Sequence, residues 1–202
     1  MRMRTLLYSF ISFVATACFG QPGTPKQAPT MFDPPLAPAE YSYQILYYTN
    51  QAYPADTPTE MWKATTEALV AFIEAIPAEK MQYRYAPAKW TIGEVLQHLI
   101  SYEHIMRERA EVIAGTARTP LQHDRYTQAG TAVGGTTKTK AQLLAEFQAT
   151  RARTVATFEN FSAEQGTTVG TLDGFRVSAR FIGVCISGHQ AHHFKVLRER
   201  YL

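Results

Sequence analysis

The chain is poor in cysteine: Cys18 and Cys185 are its only two in 202 residues. That excludes a disulfide framework, and with Cys18 near a candidate processing site it leaves Cys185 as an expected free thiol. Charge is sparse too. Asp, Glu, Lys and Arg make up 18% of the residues, the net charge is +3, and no run of Lys and Arg occurs beyond the first four residues. The clustering that a phosphate backbone requires is missing, which argues against nucleic acid as a partner. No stretch alternates as a strand, and no internal repeat is evident. The glycines of "AGTAVGGTTKTK" (129–140) lack phosphate-loop spacing, so the segment reads as a flexible loop between helices and carries no nucleotide site.

What is present is apolar residues enough, 46% of the chain, to bury one full core, in a length too short to expect two. The first twenty residues, "MRMRTLLYSFISFVATACFG", combine Arg2 and Arg4 with an apolar stretch and the small residues Ala15 and Ala17. This is the pattern of a signal peptide, too short to cross a membrane as a mature helix. Export to the periplasm is the expectation, with a lipid anchor on Cys18 if "ATAC" serves as a lipobox; translation from Met31 would instead leave the protein in the cytoplasm. Residues 21–40 read as a proline-rich linker, and residues 41–202 as the folded domain, whose first stretch "YSYQILYY" (41–48) is a packed arm.

Within 41–202 four segments carry helical period. Thr57-Pro58-Thr59-Glu60 is a capping box with proline at the first helical position, and it opens a helix toward Ile76. Thr91 to Glu94 repeats the device before a helix to about Ala114, and Thr139 to Gln142 repeats it before "KAQLLAEFQATRARTVATFENF". The last helix is expected from about Val177 to the C-terminus. Four amphipathic helices and no strands predict an all-α four-helix bundle with an N-terminal extension, whose facing side chains can build a site in the core.

The histidines suggest that site. Three of six fall in "GHQAHHFKVLRERYL" (188–202). At 100° per residue, His189 and His193 lie in the apolar stripe of Ile182, Cys185, Ile186, Val196 and Leu197, one turn apart, where two imidazoles can meet one ion. His192 points about 100° away from His193; it could pair with His189 at i+3, but the stripe argues for His193. In "WTIGEVLQHLISYEHIMRERA" the core arc runs through Ile92, Val95, Leu96, Leu99 and Met106, with His98 on its flank beside Tyr102, Ile105 and Arg109. His104 falls on the polar side with Ile100 and Glu108, and His123 lies in a loop. Glu103 sits on the core arc, where a carboxylate must be paired: with Arg109, Arg151 or another arginine, or with a ligating imidazole. Cys185 reads as a small core residue rather than a soft ligand. Trp90 and Tyr85 read as anchors of the loop before the second helix, and Leu197, Tyr201 and Leu202 as the closure of the bundle's end.

Three stretches together, "YRYAPAKWTIGEVLQHLISYEH" (83–104), "LLAEFQATR" (143–151) and the C-terminal Gly-His-x-x-His-His run, resemble the DinB/YfiT-like proteins, four-helix bundles regarded as metalloenzymes. The resemblance covers most of residues 40–202. It implies His98, His189 and His193 as metal ligands, a divalent ion, nickel or zinc, and a small-molecule substrate. Ser101 and His104 depart from the residues common in that family. Three protein ligands leave a position open, as catalytic sites do. Relatives of this kind include thiol S-transferases and maleylpyruvate isomerases, which implies a low-molecular-weight thiol as co-substrate; activation of water in a hydrolase and a non-catalytic metal- or ligand-binding bundle are the alternatives. A homodimer is compatible with the sequence.

Overall fold

The computed structural model describes residues 36–42, 58–117 and 137–202. The leader, most of the linker, the expected cap Thr57, and His123 lie outside the described residues. Four long helices dominate: α1 (Pro58–Ala75), α2 (Ile92–Ile113), α3 (Lys140–Glu159) and, after the short α4 (Ala163–Thr167) and a hairpin of β1 (Val169–Leu172) and β2 (Phe175–Ser178), α5 (Ala179–Arg200). Short 3-10 turns occupy Pro38–Glu40 and Ala78–Gln82.

The starts of α2 to α5 follow from side-chain capping. Thr91 Oγ1 accepts from the Glu94 amide at 3.1 Å while the Glu94 carboxylate accepts from the Thr91 amide at 2.6 Å, and Thr139 with Gln142 does the same for α3, so amides that the first helical turn leaves unpaired gain acceptors. Ser162 with Gln165 repeats the device at α4, and Ser178 caps α5. α1 ends two residues before Pro77, whose ring disfavours helix in the residue before it.

The expectation of no strands is corrected by the hairpin, which takes Val177 from the expected start of α5. Its strands are four residues each, too short for alternation to register. Asp173 (φ 50°) and Gly174 (φ 84°) supply the two positive φ angles that a two-residue hairpin loop requires. Tyr41 bridges Val177, and the Arg176 amide donates to Ser42 Oγ, so the arm lies along the hairpin. Beneath it Glu40 accepts from Arg180 Nε at 2.6 Å, from Arg180 Nη2, and from Ser178 Oγ at 2.8 Å. The packed part of the arm therefore begins within the stretch assigned to the linker.

The buried apolar side chains form two clusters. One, the base, joins Met61 and Trp62 of α1, Met106 and Ala110 of α2, Phe158 of α3, and Phe181, Ile182 and Ile186 of α5. The other, the crown, joins Leu69 and Ile73, Leu96 and Leu99, Leu143 and Phe147, and Phe194 and Leu197. Since α1 and α5 begin in the base while α2 and α3 begin in the crown, the order is up-down-down-up. Two placements differ from expectation. Ile100 is buried in the crown, not on a polar face, because α2 packs against both α3 and α5. Leu202 is 67% exposed, so Tyr201 closes that end without it.

Candidate metal centre

Between the two apolar clusters lies a polar waist, and the histidines are in it. α2 presents His98 and α5 presents His189 and His193 one turn apart. The Nε2 of His189 stands 3.2 Å from that of His98 and 3.1 Å from that of His193, and the ligand atoms of all three lie within 4.8 Å of one another. Three nitrogens each about 2.0–2.1 Å from a tetrahedral ion stand about 3.3 Å apart. The spacing therefore suits a shared cation.

The chemistry of the donors suits it as well. One imidazole Nε2 carries either a hydrogen or a lone pair, so that of His189 cannot serve both neighbours by hydrogen bonding. A cation among them lets all three act as donors of electron pairs. Burial first, then the proximity of His193, His98 and His192, holds His189 well below the ordinary histidine range. Burial, then His98 and His192, pushes His193 down to about 3. Both rings are thus neutral near pH 7, the form that binds metal.

Aromatic rings wall the cluster. Tyr102 stacks on His189 with centroids 3.7 Å apart, and Trp90 lies 4.7 Å from the His98 ring and 6.3 Å from that of His193. Trp90, expected from the sequence as a loop anchor, thus also lines the cluster. It is an anchor as well, since its carbonyl accepts from Tyr201 Oη at 2.7 Å. His98 and His189 are buried and His193 half-buried, so the cluster opens toward solvent on the His193 side, where His192 stands with its ring 5.1 Å away.

The remaining candidates fall elsewhere. His104 is exposed, paired with Glu108 at 3.3 Å. Cys185 packs in the base, its thiol pushed up to about 12 by burial and so kept protonated. Glu103 takes the arginine alternative: Arg151 Nε and Nη2 donate to its two carboxylate oxygens, each at 2.8 Å, while Arg109 pairs with Asp173 at 3.0 Å. The sequence reading did not single out Gln190 or Thr65, which complete the waist. Gln190 Oε1 accepts from Arg151 Nη2, and its Nε2 donates to the Thr65 carbonyl at 2.6 Å. The available signal was a glutamine and a threonine on buried helix faces.

No curated protein and no solved structure matches the chain. The family model described as the DinB superfamily matches residues 61–197, a span that includes all four bundle helices nearly whole and all three histidines. The chain belongs to the DinB superfamily.

Proposed function

We propose that the protein is a divalent-metal-dependent enzyme acting on a small molecule, with zinc or nickel held by His98, His189 and His193 and at least one exchangeable position left on the ion. The observation that carries this reading is the convergence of three Nε2 atoms from two helices, with contacts of 3.2 and 3.1 Å. A bound ion there supplies Lewis-acid chemistry, lowering the pKa of a thiol or water that reaches it. The chain's own residues do the rest. Burial keeps the imidazoles neutral, Tyr102 and Trp90 hold the rings and exclude water from their faces, and the His193 side admits the substrate.

The family resemblance favours thiol S-transfer, since the ion can hold a thiolate; the leader pulls the other way, toward activation of water in a hydrolase, because an exported protein rarely meets cytosolic thiols. The test is titration of the apo protein with zinc and nickel, alongside His98→Ala and His189→Ala, followed by assays of the loaded enzyme on a thiol panel with electrophiles and on esters and amides. Metal uptake that either substitution abolishes, with turnover of thiols, supports the reading. Turnover of esters or amides alone reassigns it to hydrolysis, and uptake with neither activity makes it a binding bundle. Export is part of the proposal, supported by the leader at residues 1–20; N-terminal sequencing of the mature protein distinguishes it from a start at Met31. No described helix is long and apolar enough to cross a membrane.

A further inference from the structure

All four long helices contribute to one buried polar network at the waist: Thr65 from α1, Glu103 from α2, Arg151 from α3 and Gln190 from α5. Every member is buried. Arg151 bonds both oxygens of Glu103 at 2.8 Å, reaches Thr65 Oγ1 at 3.4 Å, and donates to Gln190, which donates in turn to the Thr65 carbonyl at 2.6 Å. A buried ion pair is weak evidence for stability, because desolvation offsets its attraction. Such a network fixes geometry instead: it is satisfied in one register of the helices and strained in others.

Its position says which geometry. Glu103 follows Tyr102 on α2, and Gln190 follows His189 on α5. Tyr102 and His189 are stacked on each other, so the same two helices are joined twice, at successive residues, once by ring stacking and once through Arg151. These are the two helices that carry all three histidines. At a radius of about 5 Å from a helix axis, a rotation of about 20° displaces an atom by about 2 Å, the length of a metal–nitrogen bond. A small slip of α5 against α2 would therefore take His189 and His193 out of reach of a cation held by His98.

We infer that Glu103, Arg151 and Gln190 are positioning residues that lock the register of α5 against α2, and that this lock is what brings the three imidazoles to metal-binding distance. The inference rests on the proposed function. Two variants test it. Gln190→Met frees α5 from the ion pair and leaves Glu103 and Arg151 together; Glu103→Leu with Arg151→Met replaces the pair by apolar side chains of similar volume, so that no charge is stranded. Each is measured for apo thermal stability, for zinc affinity by competition with a chelator, and for the ring-current shift that Tyr102 imposes on the His189 ring protons in the apo protein.

Both variants are expected to fold, to bind zinc at least about tenfold more weakly, as loss of an outer support does, and to lose most of that ring-current shift. A merely structural role would lower stability and leave shift and affinity unchanged in whatever remains folded. Folded variants with unaltered shift overturn the inference. If the wild-type protein takes up neither zinc nor nickel, the proposed function fails, and the shift in the metal-free proteins alone decides whether the lock exists.

Discussion

Among the described residues two arginine–glutamate pairs are buried, one at each of two levels of the bundle, and they do different work. At the base, Arg180 of α5 binds Glu40, which is no part of any long helix and belongs to the arm lying beside the hairpin. At the waist, Arg151 and Glu103 join α3 to α2 and are cross-linked to α1 and α5. The base pair tethers a strap to a finished bundle. The waist pair lies inside the bundle, beside the histidines, and couples the helices that present them. Similar chemistry thus serves attachment in one place and registration in the other.

Substitutions can break that contrast. Glu103→Ala strands Arg151 among four helices, and its expected cost is about 3–5 kcal/mol, read by urea unfolding, together with loss of tight zinc binding. Glu40→Ala is expected to cost about 3 kcal/mol, at the low end of the same range, since release of the arm admits water to Arg180; zinc affinity should stay at the wild-type value. Equal loss of zinc affinity in both would erase the distinction between them.

Acid should sharpen it. His189 and His193 are held below the unfolded value of 6.5, so as pH falls from 6.5 the unfolded chain takes up protons that the buried rings refuse, and stability of the apo protein declines toward the folded pKa, about 3 for His193. At the base, burial raises the Glu40 pKa, but the hydrogen bonds from Arg180, the Ala37 amide and Ser178 together hold it below 4.5. Its contribution is complete above 4.5 and is lost only at lower pH. Denaturation followed against pH should therefore show stability falling first below 6.5, where the histidines act, and Glu40 adding to the loss only below 4.5; His189→Gln with His193→Gln should make the slope between pH 6.5 and 4.5 shallower.

Two smaller effects belong away from the waist. A Cβ on Gly183 would stand 3.0 Å from the Phe158 ring and 3.0 Å from that of Trp62, so Gly183→Ala is expected to cost about 1–3 kcal/mol by overpacking the base. Thr139→Ala, which removes the cap of α3, is expected to cost about 1 kcal/mol. Both are read by thermal melts, and neither should alter zinc affinity.

Much of this architecture is legible in the sequence because its signals are local. The capping boxes at Thr91 and Thr139 place helix starts to the residue, since cap and third helical residue lie three apart and bond each other. The stripe containing His189 and His193 is likewise a property of one helix, and the flank position of His98, which faces a neighbouring helix, offered their companion, as did the resemblance. The hairpin escaped because its strands are shorter than any alternation test, although Leu172-Asp173-Gly174-Phe175 carried the turn signal. Ile100 was misassigned because α2 is covered on more than one side, which a single-arc helical wheel does not represent. The choice of Arg151 over Arg109 as the partner of Glu103, and the entry of Gln190, depend on how three helices are rotated about one another. No spacing within one helix encodes that.

His98 and His189 stand 91 positions apart in the chain. An ion held between them would close that interval as a removable crosslink, in a protein whose one described cysteine, Cys185, is free. Loading would then stabilise the folded bundle, because the unfolded chain offers the ion no preformed site, and chelation would remove that gain, making resistance to unfolding depend on how much metal the surroundings supply.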